Sequence, residues 1–398
     1  MRSRGLCTAL AAVCAAVLAM AAPATAAEKP PIKLGAILPM TGFLAAYGEI
    51  FNIGMQMGVE DVNAAGGVNG SKIELQVEDD QLNPQQSVLL YRKLVNDGAV
   101  AVLGPVSGTS WENVAPIAKQ MKMPAINYTA LKPGISAKPW AVRIHPPDDT
   151  MIPEGVAEFV KAFPNVKKIV IAGDTKEASG AAGVEEFKKA AAKHKLEVLD
   201  VVEYQTRTTD FSPIVIKIRG LEPDAVFVSS LTPTSLPLFK EMEVQGFDKP
   251  VVNTALIWSG PFVTIVGSAG KNVYTFGFNT NEPTGDELHD SFVSRFLKLS
   301  QATKLAQPVN SGNATMPYVS VKLVADLMRK EGIDGNTDVQ EARNKISEAL
   351  SKLKEFRDIH KITMRETGDG HIQTHLLKAD VEKKIWTYVL PPDQRIME

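Results

Sequence analysis

Apolar residues follow two rhythms along this chain. Ile32-Lys33-Leu34-Gly35-Ala36-Ile37-Leu38-Pro39 is a near-continuous apolar run and predicts a mostly buried strand. From Gly48 to Ala65, Ile50, Gly54, Met57, Asp61 and Val62 recur at helical spacing, and Asn63-Ala64-Ala65-Gly66-Gly67-Val68-Asn69-Gly70 supplies the glycines that end a helix. Ile73, Leu75 and Val77 alternate with Glu74, Gln76 and Glu78, which marks a second strand. The alternation continues with a helix over 84–96, a strand over 100–103, a helix over 110–121 and a strand over 125–127.

After about residue 149 the pattern restarts. Helices are predicted over 153–163, 177–194, 211–219 and 235–245, interleaved with strands over 168–172, 196–203, 225–229 and 250–253. Strand-helix alternation of this kind implies parallel sheets with helices on both faces, here in two similar halves. The tail departs from it. Residues 317–330 and 339–353 read as helices, and 362–365 and 372–377 flank Glu366-Thr367-Gly368-Asp369-Gly370, which has the turn residues of a hairpin. A last strand is predicted over 385–390.

The N-terminus reads differently again. Arg2 and Arg4 precede an apolar run from Leu6 to Met20 and a small-residue stretch, Ala24-Thr25-Ala26, which is the layout of a cleaved secretory signal over 1–26. The run is too short to span a bilayer, and no later segment has 18 consecutive apolar residues. Both cysteines, Cys7 and Cys14, fall inside that segment, so the processed chain is expected to be thiol-free and freely soluble in the periplasm. Removing 1–26 takes away two positive charges and no negative ones, leaving the remainder slightly more acidic than the full chain's −2, with nothing to suggest nucleic acid. At about 150 residues per domain the rest predicts two or three domains.

An open parallel sheet binds its ligand beyond the carboxyl ends of its strands, so the loops there matter most. After the third strand comes Gly104-Pro105-Val106-Ser107-Gly108-Thr109-Ser110-Trp111-Glu112, where Thr109 and Glu112 fit a helix capping box. Two readings stand side by side. Free N–H groups and the positive end of the helix dipole would make an anion site beside Ser107, or the motif serves only to start a helix.

Enzyme motifs are weak or missing. Ser107 lies in Gly-x-x-Ser-Gly rather than Gly-x-Ser-x-Gly, Gly267-Ser268-Ala269-Gly270-Lys271 lacks phosphate-loop spacing, and no Gly-x-Gly-x-x-Gly follows a strand. His371 and His375 fall in the predicted hairpin without a completing ligand set, so a structural role is expected, with no metal or cofactor. The doublets Asp79-Asp80 and Asp148-Asp149 read as solvated turn residues. Asn313-Ala314-Thr315 matches a glycosylation triplet to which no function is attached.

Three stretches carry a resemblance: Ile32 to Pro39, Met40-Thr41-Gly42-Phe43-Leu44-Ala45-Ala46-Tyr47-Gly48, and Asn63 to Gly70. With Val102-Leu103-Gly104-Pro105, Pro124 to Asn127, Arg143 to Asp148 and Pro223 to Val226, the chain resembles the branched-chain amino acid type of ABC-transporter solute-binding proteins over nearly its whole processed length. The resemblance implies a type I periplasmic-binding fold: two doubly wound α/β lobes, 28–147 plus 280–357 and 148–279 plus 358–398, joined by three crossovers and closing on a ligand. It implies a monomer that delivers a small organic solute to membrane permease subunits, without cofactor, metal or catalysis. A sensory protein of the same fold, reporting to a membrane receptor, is the alternative.

The same resemblance implies cleft positions. Tyr47 stands where an aromatic residue lines the pocket, and Ser107, Gly108 and Thr109, with Tyr128, Thr129 and Leu131, stand where the first lobe grips a ligand carboxylate. Asp148 matches an acid near the ligand's ammonium group, although capping a helix is its other reading. Ser179, Thr232 and Trp258 stand for the second lobe. Gly108 and Leu131 replace usual hydroxyl residues, Ala178 replaces a common tyrosine, and Ala255 sits about where some relatives have a glutamate. These departures suggest a larger, more apolar pocket walled by Tyr47, Tyr128 and Trp258, suited to a bulky or aromatic carboxylate.

Overall fold

The computed structural model describes residues 29–312 and 314–395. The signal segment, both cysteines and Asn313 lie outside the described residues.

The first lobe is built on β1 (Ile32–Leu38), β2 (Ile73–Asp79), β3 (Ala101–Leu103), β4 (Ala125–Asn127) and β5 (Ala141–Arg143), with α1 (Ala45–Ala64), α2 (Pro84–Asn96) and α3 (Gly108–Met121) between them. The five strands are parallel in the order β2-β1-β3-β4-β5, with Leu34 paired to both Leu75 and Ala101. β1 is buried at every residue but Lys33, which is why it reads as a continuous apolar run rather than an alternating one.

The chain then crosses to a second lobe through 144–147. α4 (Asp148–Ala162), β6 (Lys168–Asp174), α5 (Ala178–Lys193), β7 (Glu197–Tyr204), α6 (Ser212–Gly220), β8 (Ala225–Ser229), α7 (Thr232–Val244), β9 (Val251–Asn253), a short α8 (Phe262–Ile265) and β10 (Val273–Gly277) follow. The chain then returns to the first lobe as α9 (Glu287–Ser300), α10 (Thr315–Lys330) and α11 (Val339–Lys352). α10 lies against α1 so closely that a Cβ on Gly54 would fall 2.3 Å from the Ala314 carbonyl oxygen, a spacing only glycine permits. A third passage runs through the small sheet of β11 (Glu355–Arg357), β12 (Lys361–Met364) and β13 (Gly370–His371) into β14 (His375–Asp380) and β15 (Ile385–Tyr388). These last two strands complete a seven-stranded sheet ordered β15-β14-β10-β9-β8-β6-β7, antiparallel only where β14 and β15 join.

Several expectations shift in register. α4 starts at Asp148 rather than Pro153, so the proline sits inside the helix and not at its first position. α7 starts at Thr232 with Pro233 in its first turn. The capping box is corrected: the cap of α3 is Ser107, whose Oγ accepts the Ser110 N–H at 3.1 Å. Glu112 pairs instead with Lys132 at 2.5 Å. The hairpin around 366–370 forms, with Thr363 opposite His371, but its second arm is only two residues long. The following residues leave for the second-lobe sheet because Glu154 and Glu158 of α4 accept the N–H groups of Thr374 and Leu376, at 2.9 and 2.8 Å. His371 and His375 lie 2.9 Å from the same two carboxyls, on one face of α4. Asp79 and Asp80 organise their loop rather than face solvent alone: Asp79 accepts from Met40, Thr41 and Gln81, and buried Asp80 from Leu82 and Ser87.

The three passages meet in an aromatic cluster. Phe278 lies 5.4 Å from His145, 4.6 Å from Trp258 and 5.0 Å from His360, between ring centroids. Burial holds both histidines at a pKa of about 3 and therefore neutral.

Candidate functional site

Strand ends shape the loops of the cleft. Gly104 leaves β3 at φ +92°, and a Cβ there would lie 2.6 Å from the Ile37 carbonyl, so the turn needs glycine. Asn127, ending β4, accepts the N–H groups of Thr129 and Ala130 and donates to the Pro105 carbonyl, tying the two first-lobe loops together. Arg143, ending β5 and fully buried, donates to the carbonyls of Ala130 and Lys132 at 2.7 Å each and to Asp369 at 2.6 Å. In the second lobe Asp174, ending β6, accepts from Lys176 and Glu177 and so turns the chain into α5.

These loops converge on one small cavity between the lobes. Its lining comes from Leu44, Tyr47, Val106, Ser107, Gly108, Thr129 and Ala130 on one side and Glu177, Ser179, Leu231, Leu256 and Ser259 on the other. The free volume is about 20 Å³, room for about one water. A larger groove, about 230 Å³, lies at the opposite ends of the second-lobe strands, beside Val251 and Val273, and takes no residue from the first lobe.

Direct hydrogen bonds cross the cleft around the cavity. Tyr47 Oη donates to the Leu256 carbonyl at 2.8 Å and lies 2.7 Å from Thr232 Oγ1, and burial raises its pKa to about 12. Ser179 Oγ accepts from Leu131 and Lys132 at 3.1 and 3.3 Å. Thr109 Oγ1 accepts the Ala178 N–H at 3.1 Å, and Thr109 N–H donates to Glu177 Oε1 at 3.2 Å. A Cβ on Gly108 would fall 2.3 Å from Ser179 Oγ, so the lobes meet this closely only over glycine. The starts of α3, α5 and α7 all meet at this point, and the positive ends of their dipoles favour negative charge there.

Tyr47, Ser107, Gly108, Thr129 and Ser179 thus line one cavity, while Thr109, Leu131 and Thr232 bond across its edge. Tyr128 and Trp258 do not line it. Tyr128 is fully buried against Phe51, ring centroids 5.5 Å apart, and Trp258 packs among Phe278 and His145 with its indole N–H on the Asn279 carbonyl. Asp148 does not line the cavity either; it stands in the first turn of α4, its N–H on the Leu131 carbonyl. Its carboxyl is fully buried and neither oxygen has a hydrogen-bond partner among the described residues. Burial pushes its pKa well above the usual carboxylate range, with Arg143 the main opposing influence.

The lining differs from the large apolar pocket expected from Ala178 and Ala255. Ala255 is not part of it, and five hydroxyl residues and Glu177 are. The Leu131 backbone N–H is taken up by Ser179 Oγ from the opposite lobe. Sequence reasoning took Glu177 only as a helix start. Its position directly before a helix that it caps was the available signal.

A family described as periplasmic binding protein matches residues 31–384. The chain belongs to the periplasmic binding protein family. A leucine-, isoleucine-, valine-, threonine- and alanine-binding protein of Pseudomonas aeruginosa is 25% identical over 243 residues, 61% of this chain and 65% of that protein. The chain thus aligns with just under two thirds of that relative's length. A leucine-binding protein from Thermotoga maritima superposes with a TM-score of 0.77 at 20% identity, covering 91% of this chain and 99% of the other. An ABC-transporter solute-binding protein from Rhodopseudomonas palustris, solved with p-hydroxybenzoic acid, gives 0.76 at 21%, covering 90% and 96%. As a periplasmic binding protein with the type I fold, the chain has the architecture of solute-binding proteins rather than of enzymes.

Proposed function

We propose that this periplasmic binding protein captures a small amino acid between its lobes and delivers it to the permease of an ABC importer, working as a monomer in the periplasm behind its cleaved signal. The observation that carries this reading is the convergence of helix starts from both lobes on one cavity, with hydrogen bonds crossing directly between them. The solute's carboxylate would take the N–H groups at the start of α3 beside Ser107 and Thr129. Its aliphatic body would lie against Leu44, Val106, Leu231 and Leu256. Asp148, buried without a hydrogen-bond partner among the described residues and with Arg143 already committed to Asp369, would receive the ammonium group. The P. aeruginosa relative is named for leucine, isoleucine, valine, threonine and alanine, four of them aliphatic, which agrees with that lining.

An aromatic carboxylate would bring a negative charge with nothing to offset Asp148, and two of the three aromatic walls it would need are packed in the core. Because the shut cavity holds about one water, capture requires the lobes to part and close again. A thermal-shift screen of aliphatic amino acids and aromatic acids tests the reading, since a ligand at 100 times its dissociation constant stabilises the native state by about 2.7 kcal/mol. Stabilisation by aliphatic amino acids is expected. A response to aromatic acids alone would overturn the choice of class, and a response to none would overturn the site.

A further inference from the structure

Glu177 holds together two helix starts that belong to different lobes. Its Oε2 caps its own helix, accepting the N–H groups of Ser179 and Gly180 at 2.7 and 2.9 Å. Its Oε1 reaches across the cleft to the Thr109 N–H at 3.2 Å, and the Ala178 N–H returns to Thr109 Oγ1. The side chain is buried, lines the cavity, and stands 3.1 Å from where a Cβ on Gly108 would be. A carboxyl of the protein itself therefore sits at the start of α3, where the solute's carboxylate would bind under the reading above, on which this inference rests. Two carboxylates cannot share one set of N–H donors without strong repulsion.

We propose that Glu177 is a resident carboxyl that holds the cleft shut on itself and is displaced from Thr109 when a solute carboxylate takes that position. The reach of this one side chain then sets solute affinity, because every captured acid must first compete with it. The competitor is part of the chain and always present.

Glu177→Asp separates the two roles. Aspartate caps helices well but is one methylene shorter, so it keeps Ser179 and Gly180 and no longer reaches Thr109. Glu177→Ser gives a neutral cap as a second variant, and Glu185→Gln, at an exposed position on the same helix where it pairs with Lys188, is the control. Solution scattering without added solute should show a larger radius of gyration for Glu177→Asp and Glu177→Ser than for wild type, and no change for Glu185→Gln. Calorimetric titration with L-leucine and with 4-hydroxybenzoate should show whichever acid binds held about 10-fold more tightly by Glu177→Asp. Failure of either arm overturns the proposal. Binding by wild type with no tightening in Glu177→Asp overturns this inference alone, whereas no binding of either acid by any variant overturns both it and the carboxylate reading.

Discussion

Two buried ionisable groups five residues apart, flanking the first crossover, are handled in opposite ways. Arg143 has every part of its guanidinium fork engaged, with Asp369 on one side and the carbonyls of Ala130 and Lys132 on the other. Asp148 is equally buried and has no hydrogen-bond partner on either oxygen among the described residues. Burial and nearby carboxyls raise its pKa, while at Asp369 the effect of burial is outweighed by Arg143, Ser136 and Thr367, which leaves that carboxyl below its usual range. A buried charge with a complete shell is scaffold. One without a shell is a stored cost that only a partner from outside can relieve.

The largest effect should come from breaking the complete shell. Arg143→Met leaves Asp369 buried without its cation and frees the loop carbonyls, so unfolding in denaturant should show a loss of about 3–5 kcal/mol. An undiminished midpoint would mean the pair contributes nothing to the fold. Asp148→Asn should do the reverse for the solute-free protein, raising the thermal midpoint by about 2–4 °C, or about 1 kcal/mol, while abolishing amino acid binding. A lower midpoint would show that the carboxylate has a partner in the native protein.

Acid sharpens the comparison, because the two carboxyls have opposite signs. A carboxyl whose folded pKa is raised is costly above that pKa, and the cost disappears as pH falls through it, so Asp148 should add relative stability on acidification. Asp369, held low, contributes stability above the ordinary carboxylate pKa and loses it below that range. His145 and His360, neutral to about pH 3, lose stability as pH falls below 6.5 in both wild type and variant. The advantage of Asp148→Asn over wild type should therefore shrink as pH is lowered from 8 towards 5, measured by denaturant unfolding at each pH. A constant difference would contradict the assignment. The smallest effect is expected at the cap of α3, where Ser107→Ala should cost about 0.5 kcal/mol through the lost bond to the Ser110 N–H.

Long patterned segments were legible in the sequence. β1, α2 and α5 lie within a residue or so of their expected bounds, because burial on both strand faces or along one helix stripe leaves a pattern that no other element shares. β5 was missed since Ala141–Arg143 is too short for any period, and Glu287–Ser300 was left unread although Phe292, Val293 and Phe296 recur at helical spacing. The cleft was legible as loops rather than as contacts. The end of the third strand located Ser107 to Thr109 and the family resemblance added Thr129 and Ser179, but which side chains face the cavity depends on how the lobes meet. Trp258 illustrates this: nothing local distinguishes a pocket wall from a ring packed against Phe278 and His145.

The central claim is that solute is gripped at the start of α3 as the lobes close, and Gly108 is the point at which that grip is tightest. Calorimetric titration of wild type and Gly108→Asp with L-leucine, L-isoleucine and L-valine tests it most directly. A side chain there meets Ser179 and places a negative charge where the solute's would sit. The account predicts binding of at least one of the three by wild type, none by Gly108→Asp, and an intact unfolding transition in both. Equal binding by the two proteins, or no binding by wild type, would contradict it.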